Sequence, residues 1–290
     1  MNHILKNDQL TVTISEHGAE MLSAKRGDCE YVWQGDPAFW SSRAPLMFPI
    51  CGRFFEQKYT YKGNTYSLGT HGFARGSEFK TVSANDTEVV FLLEANEETK
   101  ANYPFDFALY VTYRLEGSKL TTTATIKNTG DEVLPATFGG HPGFNVPLDN
   151  KGEFSDYYLE FCEECSPDEI LMSPTCFITG KRRGYPLKDG KILPLHHGLF
   201  GVDAVFMSRI ASSVTLKSDK SDRSVTLEYP DMCYLGVWHA PRTEAPYVCV
   251  EPWCGLPAYD NTIEDIAEKP DMFRIEPKSE KTVSFSVEFN

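Results

Sequence analysis

Four stretches of this 290-residue chain combine Gly and Pro with side chains able to do chemistry: Ala44–Phe54 (APLMFPICGRF), Thr70–Arg75 (THGFAR), Gly139–Asn145 (GGHPGFN) and Val250–Pro257 (VEPWCGLP). These are loop compositions, and loops held by a rigid scaffold are where binding and catalytic residues concentrate. Together they supply Arg53, His71, Arg75, His141, Glu251 and Trp253. A carboxylate and imidazoles titrating near neutrality are the groups that move protons in general acid–base catalysis. Residues so far apart in sequence make a site only if the fold gathers them, as a composite active site on one face of a scaffold would.

Each residue also has a purely structural reading. A His beside Gly often satisfies a turn. Arg53 follows the apolar run Leu46–Cys51 and can extend its stem off a strand end. Glu251 follows the apolar strand Tyr247–Val250 and precedes Pro252, so it is either a solvated strand-end charge or a half-buried carboxyl with a raised pKa.

Other candidates are weaker. Cys162 and Cys165 form a C-x-x-C, but no second Cys or His pair follows at zinc spacing, and Cys176 alone does not complete a site. The His196-His197 doublet cannot turn both rings to one side of an extended chain. No G-x-S-x-G, Walker or G-x-G-x-x-G pattern occurs. The expectation is an enzyme or binder without nucleotide cofactor or metal.

The positioning elements are strands. Leu10, Val12 and Ile14 alternate with Thr, and Val283, Phe285, Val287 and Phe289 alternate with polar residues; both read as half-buried strands. Hairpins are expected between Lys58–Lys62 and Thr65–Leu68 around Gly63-Asn64, between Phe107–Leu115 and Lys119–Asn128 around Glu116-Gly117-Ser118, and between Ser213–Lys217 and Ser224–Glu228. Short helices fit only Asn96–Asn102 and Asn261–Glu268. With 18 Pro, 21 Gly and no strand–helix alternation, the pattern predicts an all-β fold, a large antiparallel β-sandwich. No linker, repeat or composition break divides residues 1–290, so a single domain is expected.

The net charge of -13 argues against a nucleic-acid partner, which requires a basic stripe. No segment approaches the roughly 18 apolar residues of a membrane span, and Met1–Thr13 lacks a signal-peptide core. The expectation is a cytoplasmic protein whose eight Cys are mostly reduced and buried.

Taken together, the loop stretches resemble the aldose 1-epimerase (galactose mutarotase-like) family, in particular its LacX-like branch. The resemblance spans nearly the whole chain and rests on five motifs in order: Pro45–Arg53, His71–Arg75 (HGFAR), Gly139–Phe144, Leu199–Phe206 with its Asp203, and Glu251–Trp253. It implies an antiparallel β-sandwich with the site on an open sheet, Glu251 as general base, His141 as general acid, and His71, Arg53 and Asp203 as sugar ligands. HGFAR departs from the galactose mutarotases proper and is shared with a hexose-6-phosphate epimerase branch.

The implied reaction opens a sugar ring at the anomeric carbon and closes it on the other face, which needs one base and one acid and neither hydride nor metal. Trp253 and Trp238 offer flat faces to sugar C–H groups; Trp238 reads equally well as a core aromatic. A phosphosugar isomerase would clamp its phosphate with Arg53 and Arg75. A silent sugar-binding module has no use for His71, His141 and Glu251. A glycoside hydrolase would need two carboxylates, for which Asp203 and Glu251 are the one pair. A free hexose is the expected substrate, because the negative charge repels anions at long range.

Overall fold

The computed structural model describes all of residues 1–290. Two large antiparallel sheets dominate. The first has nine strands in the order Ile192–Pro194, Tyr157–Phe161, Ser213–Ser218, Val225–Glu228, Glu280–Phe289, Lys119–Asn128, Phe107–Glu116, Glu88–Glu94 and Lys80–Ala84. The second runs Ile178–Gly184, Asp168–Met172, Val205–Ser208, Tyr234–Trp238, Tyr247–Trp253, Gly139–Gly140 and Leu46–Met47, with Gly143–Asn145 also paired to Tyr247–Trp253. A four-stranded N-terminal sheet covers Asn2–Glu30. This is the antiparallel architecture that the alternating sequence pattern predicts.

The alternation is visible strand by strand. Along Lys119–Asn128 every second residue is buried, and Leu120, Ala124 and Ile126 join the main core with Val283, Phe285 and Val287. That core of 67 residues runs from Leu5 to Phe289 and takes side chains from both large sheets.

The middle of the second sheet is buried on both faces, and its edge strand Ile178–Gly184 is exposed beyond Ile178. From the strand Tyr247–Trp253, Val248 and Val250 enter the main core, while Tyr247, Cys249 and Trp253 belong to two smaller clusters. Successive strand residues point to opposite faces, so the odd-numbered set, Glu251 included, lies on the face away from the main core. The neighbouring strand repeats this: Leu235 and Val237 face the core, and Tyr234 faces the other way.

Several local expectations shift. The first hairpin pairs Tyr61 with Asn64, so its turn is Lys62-Gly63 rather than Gly63-Asn64. Both turn residues have positive φ, 49° and 79°, which suits a two-residue hairpin turn. The second hairpin pairs Glu116 with Lys119 and turns through Gly117-Ser118 alone. Asn96 caps the helix Glu97–Asn102, accepting from Thr99 N–H in a capping box.

Asn261–Glu268 is not a helix. Its backbone is committed elsewhere: Glu264 C=O accepts from Thr60 N–H, and Ile266 N–H donates to Thr60 C=O. The thiols also differ from expectation. Cys51, Cys249 and Cys254 are buried, whereas Cys162 and Cys233 are exposed and the other three are half-buried.

Candidate active site

Two of the stretches read as loops prove to be largely strand. Glu251, Pro252 and Trp253 continue the strand that begins at Tyr247, pairing with Gly236, Leu235 and Tyr234. On the other side, Gly139 pairs with Trp253 and Gly143 with Cys249. His141 therefore stands opposite Glu251 in the register, between two short strand segments. The adjacent chain leaves the ladder at His141-Pro142, so Pro252, which has no N–H, sits beside a break. The interruption frees the His141 side chain from a strict ladder.

The two side chains meet. His141 Nε2 lies 3.3 Å from Glu251 Oε2. Glu251 is 1% and His141 8% exposed. Burial, reinforced by the charge of Asp203, pushes the Glu251 carboxyl well above its usual range. Burial, with a smaller contribution from Arg75, pulls the His141 imidazole down to about 3. The pair is therefore neutral, with one proton between Glu251 Oε2 and His141 Nε2. Glu251 Oε1 and His141 Nδ1 have no protein partner. The Trp253 indole N–H leans toward the same carboxyl without reaching hydrogen-bond geometry.

Glu251 has room because its neighbour on the other side is Gly236. A Cβ there would lie 3.0 Å from Phe206 Cε1 and 3.4 Å from Glu251 Cβ.

His71 reaches the site from a tight turn in which it and Gly72 both have positive φ, 65° and 71°. Gly52 N–H donates to His71 Nδ1 at 3.1 Å, and His71 N–H donates to Gly52 C=O at 2.6 Å. With Nδ1 accepting, the ring proton is on Nε2. Burial, then the neighbouring His141, Arg75 and Arg53, hold His71 well below the usual imidazole range. Its ring makes edge contacts with His141 and with Trp253, each at 5.5 Å.

One cleft of about 250 Å³ gathers all the residues singled out in the sequence: Arg53, His71, Arg75, His141, Asp203, Glu251 and Trp253 all line it. Asp203 accepts from the Trp238 indole N–H at 3.0 Å, and Arg75 donates to Ser42 Oγ at 3.1 Å. Trp253 is 2% exposed and packs on Phe206, so it forms the wall rather than an open platform. Trp238 is half-exposed in the cleft and edge-on to His141.

Several residues escaped the sequence reading. Trp40 stacks on His141 at 4.9 Å, but its loop carries no His, Glu or Arg signature beside Gly to mark it. Met172 and Cys176 also line the cleft. Cys176 is pushed up to about 11, by burial first and then by Asp203. Cys249 lies behind the pair: the ligand atoms of His141, Cys249 and Glu251 all fall within 4.8 Å of one another. Cys162 and Cys165 belong to no such group. Of the His196-His197 doublet, His197 pairs instead with buried His239, Nδ1 to Nε2 at 3.0 Å. A wider groove of about 970 Å³, lined by Arg26, Cys29, Asp149 and Arg223 among others, contains none of the candidate residues.

The family model described as aldose 1-epimerase matches residues 2–282. A curated relative, the LacX protein of Lactococcus lactis, is 32% identical over 98% of this chain and 97% of its own length. Two solved structures are also similar. A galactose mutarotase related enzyme from Lactobacillus acidophilus is 34% identical with a TM-score of 0.95, covering 100% of this chain and 97% of its own. A galactose mutarotase-like protein from Lactobacillus casei is 32% identical with a TM-score of 0.94, covering 100% of both.

Proposed function

This chain belongs to the aldose 1-epimerase family and is an isomerase of the mutarotase type, and we propose that it interconverts the α and β anomers of a free hexose by acid–base ring opening at Glu251 and His141. The observation carrying this reading is the buried contact between the two, 3.3 Å apart in a cleft of about 250 Å³. That volume lies below the roughly 300–1,000 Å³ of drug-sized ligand sites and suits one sugar ring.

Mutarotation moves protons at two oxygens attached to the same carbon. The anomeric hydroxyl must lose a proton while the ring oxygen gains one, so acid and base must be neighbours. The pair holds a single proton, and passing it from Glu251 to His141 yields one base and one acid without exchange with solvent. Glu251 then takes the anomeric proton, the bond from C1 to the ring oxygen breaks, and His141 protonates that oxygen. Rotation about C1–C2 exposes the other carbonyl face, and the same steps in reverse close the ring. Each proton transfer contributes on the order of 10²–10⁴-fold.

The surrounding groups have matching roles in this reading. His71, with its proton on Nε2, donates to a sugar oxygen. Asp203 accepts from hydroxyls, Arg53 donates to them, and the Trp40 and Trp238 rings flank the sugar.

Polarimetry of freshly dissolved α-glucose and α-galactose tests the proposal. The expected result is anomer exchange faster than the spontaneous rate with at least one of them. No acceleration with any free aldose would overturn it.

A further inference from the structure

We propose that His141, Cys249 and Glu251 form a binding site for a thiophilic divalent cation such as Zn²⁺ or Cd²⁺, and that a cation bound there blocks the cleft. The three ligand atoms lie within 4.8 Å of one another. They come from facing positions on the sheet: Cys249 and Glu251 are two apart on one strand, and His141 is opposite Glu251. Bonds of roughly 2.3 Å to sulfur and 2.0–2.1 Å to nitrogen place tetrahedral donor atoms about 3.3–3.7 Å apart. His141 Nε2 and Glu251 Oε2 already have that spacing, at 3.3 Å. Drawing in the thiol takes a side-chain adjustment of about 1 Å.

The donor set fits this class of ion. One thiolate, one carboxylate and one neutral imidazole supply soft and borderline ligands with two negative charges. On binding, the thiol and the carboxyl each release a proton to solvent, and the cation takes their place. The buried site remains electrically neutral, which removes the main penalty for placing a divalent ion there. Glu251 Oε1 has no partner in the protein, so the carboxylate can present either oxygen to the ion.

Cys249 has no place in the acid–base chemistry proposed above. It is fully buried, packed beside Trp33 and Tyr247, and does not touch the cleft itself. The blocking effect rests on the isomerase reading, because the cation would occupy both proton-transfer groups; the binding does not.

The test uses Cd²⁺ and the ultraviolet charge-transfer absorption of Cd²⁺–thiolate, in a Cys162→Ala/Cys165→Ala/Cys233→Ala background that removes the C-x-x-C pair and the other exposed thiol. One thiolate band per chain is expected, lost on adding Cys249→Ala and at least tenfold weaker in affinity on adding Glu251→Gln. Sugar turnover should be inhibited by Cd²⁺ competitively with sugar, and Cys249→Ala should retain turnover while escaping inhibition. A band unchanged by Cys249→Ala, or by Glu251→Gln, would overturn the site. A band that behaves as expected in a protein that isomerises no aldose would leave the metal site standing and remove the isomerase reading.

Discussion

Glu251 and His141 face each other across one register position of a β-sheet, and Gly236 occupies the opposite flank of Glu251. The pairing of the flanking segments, Gly139 with Trp253 and Gly143 with Cys249, therefore brings His141 to the 3.3 Å contact. Opposite side chains in an antiparallel pair have Cβ atoms about 4.5–5.5 Å apart, the spacing at which a carboxyl and an imidazole can touch. A site built on strands holds its geometry more tightly than one built on loops.

Glu251→Gln separates chemistry from folding. The amide keeps the shape of a carboxyl that is already neutral, and its NH₂ can donate to His141 Nε2. Turnover should fall by about 10²–10⁴-fold, while the urea midpoint stays level or rises, as when a functional group strained by burial is removed. Polarimetry and denaturant titration on the same preparation check this. A variant that keeps its activity would remove Glu251 from the proton transfer.

Burial of the pair has a kinetic consequence. His141 gains a proton only near pH 3, and Glu251 loses its own only above its raised pKa. Between those limits the pair keeps one proton. The profile of kcat/KM should therefore be flat through pH 4.5 and 6.5, where ordinary carboxyl and imidazole groups titrate. A bell with limbs at those two values would mean the groups are solvated during turnover.

Stability should depend on pH through His239, whose pKa burial lowers to about 4 from 6.5. Its Nδ1–H donates to Ala240 C=O at 2.8 Å, leaving Nε2 to accept from His197. Between pH 4 and 6.5 the unfolded chain binds a proton that the folded one does not, so stability rises with pH across that window. The contribution is fully present above 6.5 and is lost as pH falls toward 4. It amounts to about 3 kcal/mol. Because His71, His141 and Glu251 also exchange protons on unfolding in this window, the contribution is read as the difference between the parent and His239→Gln in how the urea midpoint changes from pH 4.5 to 7. His197→Phe, which removes the donor to Nε2, should alter the slope.

The sheets were legible in the sequence because each half-buried strand writes its own period-2 pattern, as Lys119–Asn128 does. The candidate cleft was legible only where chemistry-bearing residues stood beside Gly and Pro. Those same residues concealed the local structure: Pro252 and the Gly139–Asn145 segment look like loop, and only the long-range pairing shows Glu251 inside a strand. Cys249 reads as one more apolar residue in a buried run. Trp40 takes its meaning from His141, a distant neighbour that no local pattern announces. Asn261–Glu268 looks helical because nothing nearby reveals that Thr60 claims its backbone.

Gly52 tests how His71 is held. It has φ +77°, and a Cβ there would lie 2.4 Å from Pro257 Cγ. Gly52→Ala should cost about 1–3 kcal/mol and lower kcat, because the displaced N–H no longer fixes the His71 tautomer. Gly27→Ala is the control: its φ is +62° with nothing within 4 Å, so it carries backbone strain alone and should leave turnover unchanged. Equal effects of the two variants on kcat would mean that Gly52 does not position His71.

Arg75 decides between a free sugar and its 6-phosphate. Its guanidinium is near enough to His71 and His141 to depress both imidazoles, and one of its nitrogens is bonded to Ser42. A phosphate clamp would need Arg75 to share its donors with Arg53 against a long-range field set by a net charge of -13. Arg75→Ala compared with the parent, on glucose or galactose and on their 6-phosphates, separates the cases. With a free hexose as substrate, the parent turns over free sugars better than phosphates, and the variant changes KM for free sugars by less than about tenfold, the loss of roughly one hydrogen bond. A parent that accepts only the phosphates, with KM raised on the order of 100-fold in the variant as expected for a lost charge-assisted fork, would make Arg75 a phosphate ligand and the free-hexose assignment wrong. Loss of both activities together with a lowered urea midpoint would instead place Arg75 among the residues that hold the His71 turn against Ser42, and Arg75→Lys, which keeps the charge and one donor, should then restore the midpoint.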